Sequence, residues 1–339
     1  MKTKEFTLSE REELSRLLVQ DQSFTAIAKQ LNKDKGTISR EVHRRGMDRK
    51  TYRAHKAHWH ARRQKKKQGR KRKIEQNPVL KKFVMAKLRL RWSPAQIAVK
   101  LERLYAGDKS MQISHETIYS YIYVLPRGSL KKELLNYLRQ QKKYRRRKNK
   151  NQPRENQKQL NRGQIPEMIS IEERPREVLD RIVPGHWEGD LILGKWKQSA
   201  LGTIVERTTR TTLLVPLGKD KDAETVRKAF AHKMKTLPAQ MKLSLTYDQG
   251  KEMSEHKLFT KKTQIKVYFA HPGCPWERGT NENTNGLIRQ FFPKGTDFNK
   301  VSKREINKVQ QLLNGRPRKV LDYQTPYEVF GRLINNMLQ

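Results

Sequence analysis

The sequence predicts two kinds of fold in one chain: an all-α basic region first, then an α/β domain whose mixed sheet is flanked by helices. Three observations carry that expectation. Apolar residues ahead of position 139 recur at helical spacings of three and four. Beyond Ile165, short β-branched and aromatic runs joined by tight turns give way to strands alternating with helical periods. Between the two lies KKYRRRKNKNQPRENQKQLNRG, which has almost no apolar side chain to bury.

Charge divides the chain in the same place. The 339 residues carry 75 Lys and Arg against 34 Asp and Glu, a formal net charge of +41. Residues 1–150 hold 42 bases against 13 acids, a net of +29, whereas the remainder holds 33 against 21, a net of +12. Positive charge concentrated in one half points to a polyanionic partner for that half and to different work in the other. Cys274 is the single cysteine, which excludes an intrachain disulfide framework and a zinc site built on several cysteines. No apolar run approaches the roughly 18 residues of a membrane span, and the opening MKTKEFTLSEREEL has no secretory apolar core. The expectation is a soluble, cytoplasmic protein.

Three short helices are expected between Phe6 and Arg45. Ser9 precedes a run with Leu14, Leu17 and Leu18 on one face, and Ser23 is placed to cap a second helix carrying Ile27, Ala28 and Leu31. A turn over Asn32–Gly36 breaks the period, and a third helix follows from Thr37, with Ile38 and Val42 turned to the core. Thr37, Ser39, Arg40 and Arg44 are then left facing outward. Arginine can bond a guanine edge bidentately, and Thr and Ser suit phosphates or bases. These four are the candidate DNA contacts of a helix-turn-helix domain over residues 1–60. The plainer alternative is a three-helix packing unit with a solvated charged face.

A second domain is expected over residues 61–139. It opens with the basic run RRQKKKQGRKRK and continues into another helix-turn-helix pattern from Arg91 to Val124. There Ser93-Pro94 is a strong helix start, Ile97, Ala98 and Leu101 supply a core face, and Ser114 can cap a helix with Ile118 and Ile122 inward. His115, Tyr119 and Tyr123 can either meet DNA backbone or pack. His55, His58 and His60 have no Cys or carboxylate nearby to complete a metal site and read as solvated helix residues. Residues 140–175 are expected to be a basic linker, with Arg145, Arg146 and Arg147 as phosphate contacts, and residues 176–339 to be the α/β domain.

In that domain strands are expected at His186–Leu193, Leu201–Arg207, Thr211–Pro216, Leu243–Tyr247 and Ile265–Phe269, and helices at Ala223–Lys235, Gly279–Phe291 and Ser302–Asn314. Asp190 interrupts the otherwise apolar strand of GHWEGDLILG, where an unneutralised aspartate would be costly, and Glu188 rivals it from the same strand face. Asp248 ends the strand KLSLTYD, and Glu282 opens a helix in GTNENTNGLIRQ. Singly, each has an ordinary reading as a structural, turn or helix-dipole residue. Jointly, two strand-end aspartates and a helical glutamate can converge at one end of a mixed sheet, where divalent ions need oxygen ligands. Lys251 and Glu252 beside Asp248, and Trp276, Arg278, Asn281, Asn283 and Asn285 around Glu282, can shape the site or touch a substrate.

The stretches HWEGDLI, YDQGKE and PWERGTNENTNGLIRQFFPKGTDF closely resemble the insertion-sequence-thirty family of bacterial transposases. FTLSEREELSRLL with IAKQLNKDKGTISREVHRRG is similar to its N-terminal domain, and RWSPAQIA with ISHETIY to its second DNA-binding segment. The resemblance spans nearly the whole chain. It implies a ribonuclease-H-like, integrase-type core in which Asp190, Asp248 and Glu282 are the catalytic carboxylates, chosen over Glu188 and Glu277. They would hold two Mg²⁺ or Mn²⁺ ions, with Arg289 near the substrate phosphate. The implied activity is binding of an element's terminal inverted repeats in double-stranded DNA, followed by metal-dependent strand cleavage and transfer, by a homodimer or larger assembly on the bacterial nucleoid. Two other classes remain: a non-catalytic DNA-binding regulator, which needs only the front half, and a nuclease that cuts without joining.

Overall fold

The structure, a computed structural model, describes residues 5–67, 72–139 and 165–338. Two compact units divide it, residues 1–72 and residues 73–339.

In the first unit α1 (Leu8–Val19), α2 (Phe24–Gln30), α3 (Lys35–Val42) and α4 (Ala54–Lys67) enclose Leu14, Leu17, Ile27, Ile38, Val42 and Tyr52. The cap of α1 is Thr7 rather than Ser9. Its hydroxyl accepts the Glu10 amide while the Glu10 carboxylate accepts the Thr7 amide, and Ser9 falls inside the first turn. Ser23 caps α2. The third helix starts two residues earlier than expected because the chain turns at Asn32, whose φ of 48° asparagine tolerates. Gly36 therefore lies within α3 and not in the turn. A buried ion pair, Arg11 Nε to Glu41 Oε1 at 2.6 Å, ties α1 to α3. The basic helix α4, expected with the following domain, belongs to this unit because Tyr52 and Ala57 anchor its start in the same core.

The second unit begins with a helical subdomain: α5 (Lys73–Gln76), α6 (Pro78–Arg89), α7 (Pro94–Leu104), α8 (His115–Val124) and α9 (Ser129–Tyr137). Ser93 and Gln96 form a capping box ahead of Pro94, and Ser114 accepts the Thr117 amide. Ile97, Leu101, Ile118 and Ile122 are buried among Leu80, Val84 and Leu134, so α6 and α9 supply the cover that α7 and α8 lack by themselves. Tyr119 and Tyr123 stay exposed.

Residues 165–175 depart from the expected linker. Ile165 is in the core of the α/β domain, Ser170 bridges to Phe269, and Arg174 donates to Thr246 Oγ1 at 3.1 Å. Apolar and paired residues here hold the chain to the sheet. The run 140–164, with Arg145, Arg146 and Arg147, lies outside the described residues.

The α/β domain continues through α10 (Glu177–Asp180), β1 (His186–Leu193), β2 (Ala200–Glu206), β3 (Thr212–Gly218), α11 (Ala223–Lys235), β4 (Ser244–Tyr247), α12 (His256–Thr263), β5 (Lys266–Phe269), α13 (Gly279–Ile288), α14 (Lys303–Asn314) and α15 (Pro326–Leu338). The sheet order is β3-β2-β1-β4-β5, antiparallel across β1, β2 and β3 and parallel from β1 through β4 to β5. One face packs on Phe230 of α11 and Phe259 of α12, and the other on Leu287 and Ile288 of α13 and Leu313 of α14. Every residue of β2 is buried, as a strand covered on both faces requires. This is the mixed, helix-flanked sheet that the sequence predicts.

Candidate active site

Strand register brings the first two acids together. On one face of the β1–β4 pair His186 lies opposite Ser244 and Glu188 opposite Thr246. Two residues beyond the last paired rung on each chain, Asp190 and Asp248 share a contact with the Arg278 guanidinium. Asp190 is not at a strand end as expected. Pairing of β1 with β4 stops at Glu188, whereas its pairing with β2 runs on to Leu193. Gly189 is required between the two β1 acids: a Cβ there would lie 2.7 Å from the ring of the fully buried Tyr247.

Helix α13 and the turn before it close over this pair. Arg278, whose side chain is 15% exposed, places Nη1 3.5 Å from Asp190 Oδ1 and Nη2 3.1 Å from Asp248 Oδ2. Asn285 donates to Asp190 Oδ2 at 2.8 Å. Burial raises the Asp190 pKa, the Arg278 guanidinium opposes that shift, and the Asp248 charge reinforces it. Glu252 is also raised, first by burial and then by the charges of Asp248 and Asp190, so a further carboxylate shares the field of the pair. Its signal in the sequence was only its place four residues after Asp248.

The rival acids have other work. Glu188 is fully buried, accepts the Asn281 amide at 2.8 Å and lies 3.5 Å from Arg207 Nη1. Asn281, itself fully buried, donates from Nδ2 to the Glu188 carbonyl at 2.9 Å, which fixes the root of α13 to β1. Glu277 accepts from the His271 amide and contacts His271 Nδ1, both at 2.8 Å.

Glu282 is exposed on α13, and the structure does not bring it into the cluster. Among the described residues no three His, Cys, Asp or Glu side chains are grouped so as to hold a metal ion. Arg289 is half-buried and donates to the carbonyls of Leu193 at 2.8 Å and Pro293 at 3.3 Å, so it braces the end of β1 rather than facing Asp190. The donor set nevertheless fits a hard cation. Asp190 and Asp248 offer carboxylate oxygens, and between them a guanidinium stands where positive charge is wanted.

Residues 180–275 match the integrase core domain family, and residues 2–45 match a helix-turn-helix domain family. The transposase for insertion sequence element IS1086 of Cupriavidus metallidurans is 42% identical over 94% of this chain and 91% of its own length. The chain belongs to the IS30 family of transposases. Transposase InsI for IS30A of Escherichia coli is 41% identical over 96% of this chain and 83% of its own length. The transposase for IS4351 of Bacteroides fragilis is 37% identical over 98% and 97%. The catalytic core of BIV integrase covers 46% of this chain and 99% of its own, with 16% identity and a TM-score of 0.36, which adds nothing to the sequence matches. The protein is thus an insertion-sequence transposase, a DDE-type polynucleotidyl transferase with a ribonuclease-H-like core, from a family that depends on divalent metal. Its helix-turn-helix domain binds DNA.

On α3 of the transposase Thr37 and Ser39 are half-buried and Arg40 is exposed; the helix ends at Val42, so the exposed Arg44 lies in the short turn Arg44–Gly46 after it and not on the helix face as expected. Arg40 Nε donates to the Gly36 carbonyl at 3.0 Å, and Arg44 lies 3.5 Å from Glu41. Both guanidiniums are held by weak local contacts at the surface. No helix among the described residues is long and apolar enough to cross a membrane.

Proposed function

We propose that the transposase binds the terminal inverted repeats of its element through Thr37, Ser39, Arg40 and Arg44, and cuts and joins DNA strands at Asp190, Asp248 and Glu282. The observation that carries this reading is the juxtaposition of Asp190 and Asp248 around one guanidinium. Those aspartates, with Glu282, would hold two Mg²⁺ or Mn²⁺ ions. When bound, such a pair activates the attacking oxygen and stabilises the leaving one. The protein's own contribution is positional. Asn285 and Arg278 fix the Asp190 carboxylate, while the Asn281–Glu188 bonds set the height of α13, and so of Glu282, above β1. Arg289 would reach a substrate phosphate only by giving up its carbonyl bonds. Arg145, Arg146 and Arg147 add phosphate contacts along the backbone. Holding two element ends calls for at least a homodimer, acting on the nucleoid.

The test is a cleavage and joining assay on duplexes carrying the element's ends with Mg²⁺. Asp190→Asn, Asp248→Asn and Glu282→Gln should each abolish cut and joined products while leaving end binding intact. Parental cleavage by any one of them removes that residue from the active site.

A further inference from the structure

Several buried or half-buried arginines among the described residues meet a carboxylate: Arg11 meets Glu41, Arg207 meets Glu188, Arg227 meets Glu255, and Arg278 meets two aspartates, whereas the buried Arg174 bonds the neutral Thr246 hydroxyl. A group within the second unit meets none. Where the helical subdomain meets α13 and α14, Arg316 is only 2% exposed, and its guanidinium donates to the neutral oxygens of Gln96 at 3.1 Å and Gln290 at 2.8 Å. Arg318, 8% exposed, donates to the Leu313 carbonyl at 3.0 Å, and its Nε is buried without a partner. Arg139, at the surface, donates to Asn283 Oδ1 at 2.7 Å. Arg91 lies 5.2 Å from the Phe291 ring centroid and 5.7 Å from that of Tyr137, and donates to the Asn136 carbonyl.

None of the four forms an ion pair with a described carboxylate. They do feel one another. Burial and then the charges of Arg139 and Arg91 bring Arg316 down to about 10, and burial and then Arg316, Arg139 and Arg210 bring Arg318 down to about 9. Arg316 and Arg318 therefore remain charged at neutral pH. Uncompensated guanidiniums gathered at a domain seam are costly, and an anion with several oxygens would relieve that cost. The seam has ion pairs elsewhere, Arg103 with Asp322 at 2.8 Å and Lys100 with Glu328 at 3.4 Å, so the subdomain is held without this cluster needing to act as glue.

We propose that this cluster is a binding site for DNA backbone, with one phosphate at each of its two rim arginines. Arg139 and Arg91 at its rim make the contacts, while Arg316 and Arg318 supply charge from beneath. Its place follows from Asn283, which holds Arg139 against the side of α13 opposite Asn281 and Asn285, turned away from the sheet. The DNA that passes here runs over the outer side of α13. The inference rests on the proposed function for the presence of DNA at this domain, although its test does not require cleavage.

The experiment measures affinity of the full chain, in EDTA, for a duplex bearing the element's terminal sequence across a range of KCl concentrations. Each lost phosphate contact should reduce the slope of log K against log salt by about 0.9. Arg91→Gln with Arg139→Gln should therefore flatten it by about 1.8 and weaken binding several-fold at physiological salt. Lys261→Gln with Lys262→Gln, which removes equal charge from the exposed side of α12, should leave the slope unchanged. Arg91→Lys with Arg139→Lys should preserve it, which separates charge from the packing of Arg91 on its aromatics. Arg139→Gln alone, at an exposed position, reads half the effect should the Arg91 change disturb folding.

A parental slope in the Arg91/Arg139 glutamine variant, or an equal change in the α12 control, overturns the proposal. So does a result in which inorganic phosphate raises the melting temperature of the parent but not of the variant while their DNA slopes agree, because the site would then serve a free anion. Failure of the parent to cleave with Mg²⁺ would refute the proposed function and leave the slopes interpretable.

Discussion

Replacing Arg278 by Gln removes the one cation that bridges Asp190 and Asp248. At 3.1 and 3.5 Å, an effective dielectric near 20 makes each pairing worth a few kcal/mol before solvent is considered. The Asp190 and Asp248 side chains keep 27% and 40% of their exposure, so screening cuts the net loss to about 1–2 kcal/mol. In a unit of this size that lowers the melting temperature by about 2–6 °C. The variant should show that deficit in EDTA and recover most of it in saturating Mg²⁺, because the two carboxylates then have another counter-ion. Mg²⁺ should accordingly raise the variant's melting temperature more than the parent's, and bind it about tenfold more tightly. Thermal melts at several Mg²⁺ concentrations, with isothermal titration of Mn²⁺ as a check, measure both. A deficit that is the same or larger with metal refutes the view that Arg278 occupies the cation's place, and makes it a structural brace.

Three further outcomes follow from the same geometry. Gly189→Ala drives a methyl to 2.7 Å from the buried Tyr247 ring, so urea unfolding should show a loss of about 1–3 kcal/mol; unchanged stability would mean that β1 and β4 yield easily. Burial, with Arg207 and Arg174 nearby, lowers His186 from 6.5 to about 4. Its neutral form therefore contributes stability above pH 6.5 that is lost as pH falls toward 4, by up to about 3 kcal/mol, because the unfolded chain takes up the proton first. His186→Gln should flatten that part of the profile, and parallel profiles for parent and variant would reject the assignment. Arg40→Ala should relax sequence preference between the element's end and a scrambled duplex in competition binding; an unchanged preference would take Arg40 out of base reading.

The fold was more legible than the site because periodicity is local and convergence is not. The strand expected at His186–Leu193 and the helix at Ala223–Lys235 have those limits in the structure, since each carries a full apolar pattern between clear turn signals. α12 was missed: HKLFTKKT has few apolar residues, and Phe259 alone fills the core with His256 beside it. The linker expected over 140–175 is too long: Ile165, Met168, Ile169 and Ile171 are apolar but too short a run to show a strand or helix period, and their place is fixed by the Ser170 bridge to Phe269 of β5. Within the site, Asp190 could be placed beside Asp248 only once the parallel register of β1 and β4 was known. Arg278 and Asn285 stand out in the sequence only as neighbours of Glu282, since their meaning is the carboxylate each one reaches.

Glu282 shows where that limit falls. A residue in an α-helix advances by about 100° around the axis. Asn281 and Asn285 both bond β1 residues, Glu188 and Asp190, so they mark the side of α13 that faces the sheet. Glu282 is one step beyond Asn281 and three before Asn285, which sets it about 60° from the direction of Asn285. It is therefore on the rim of the face that covers Asp190 rather than on the far side of the helix. Its exposed side chain stays outside the cluster, where Arg278 alone spans Asp190 and Asp248. The backbone needs no change of register or fold, since the bonds of Asn281 to Glu188 have already fixed the helix where a third carboxylate would have to start.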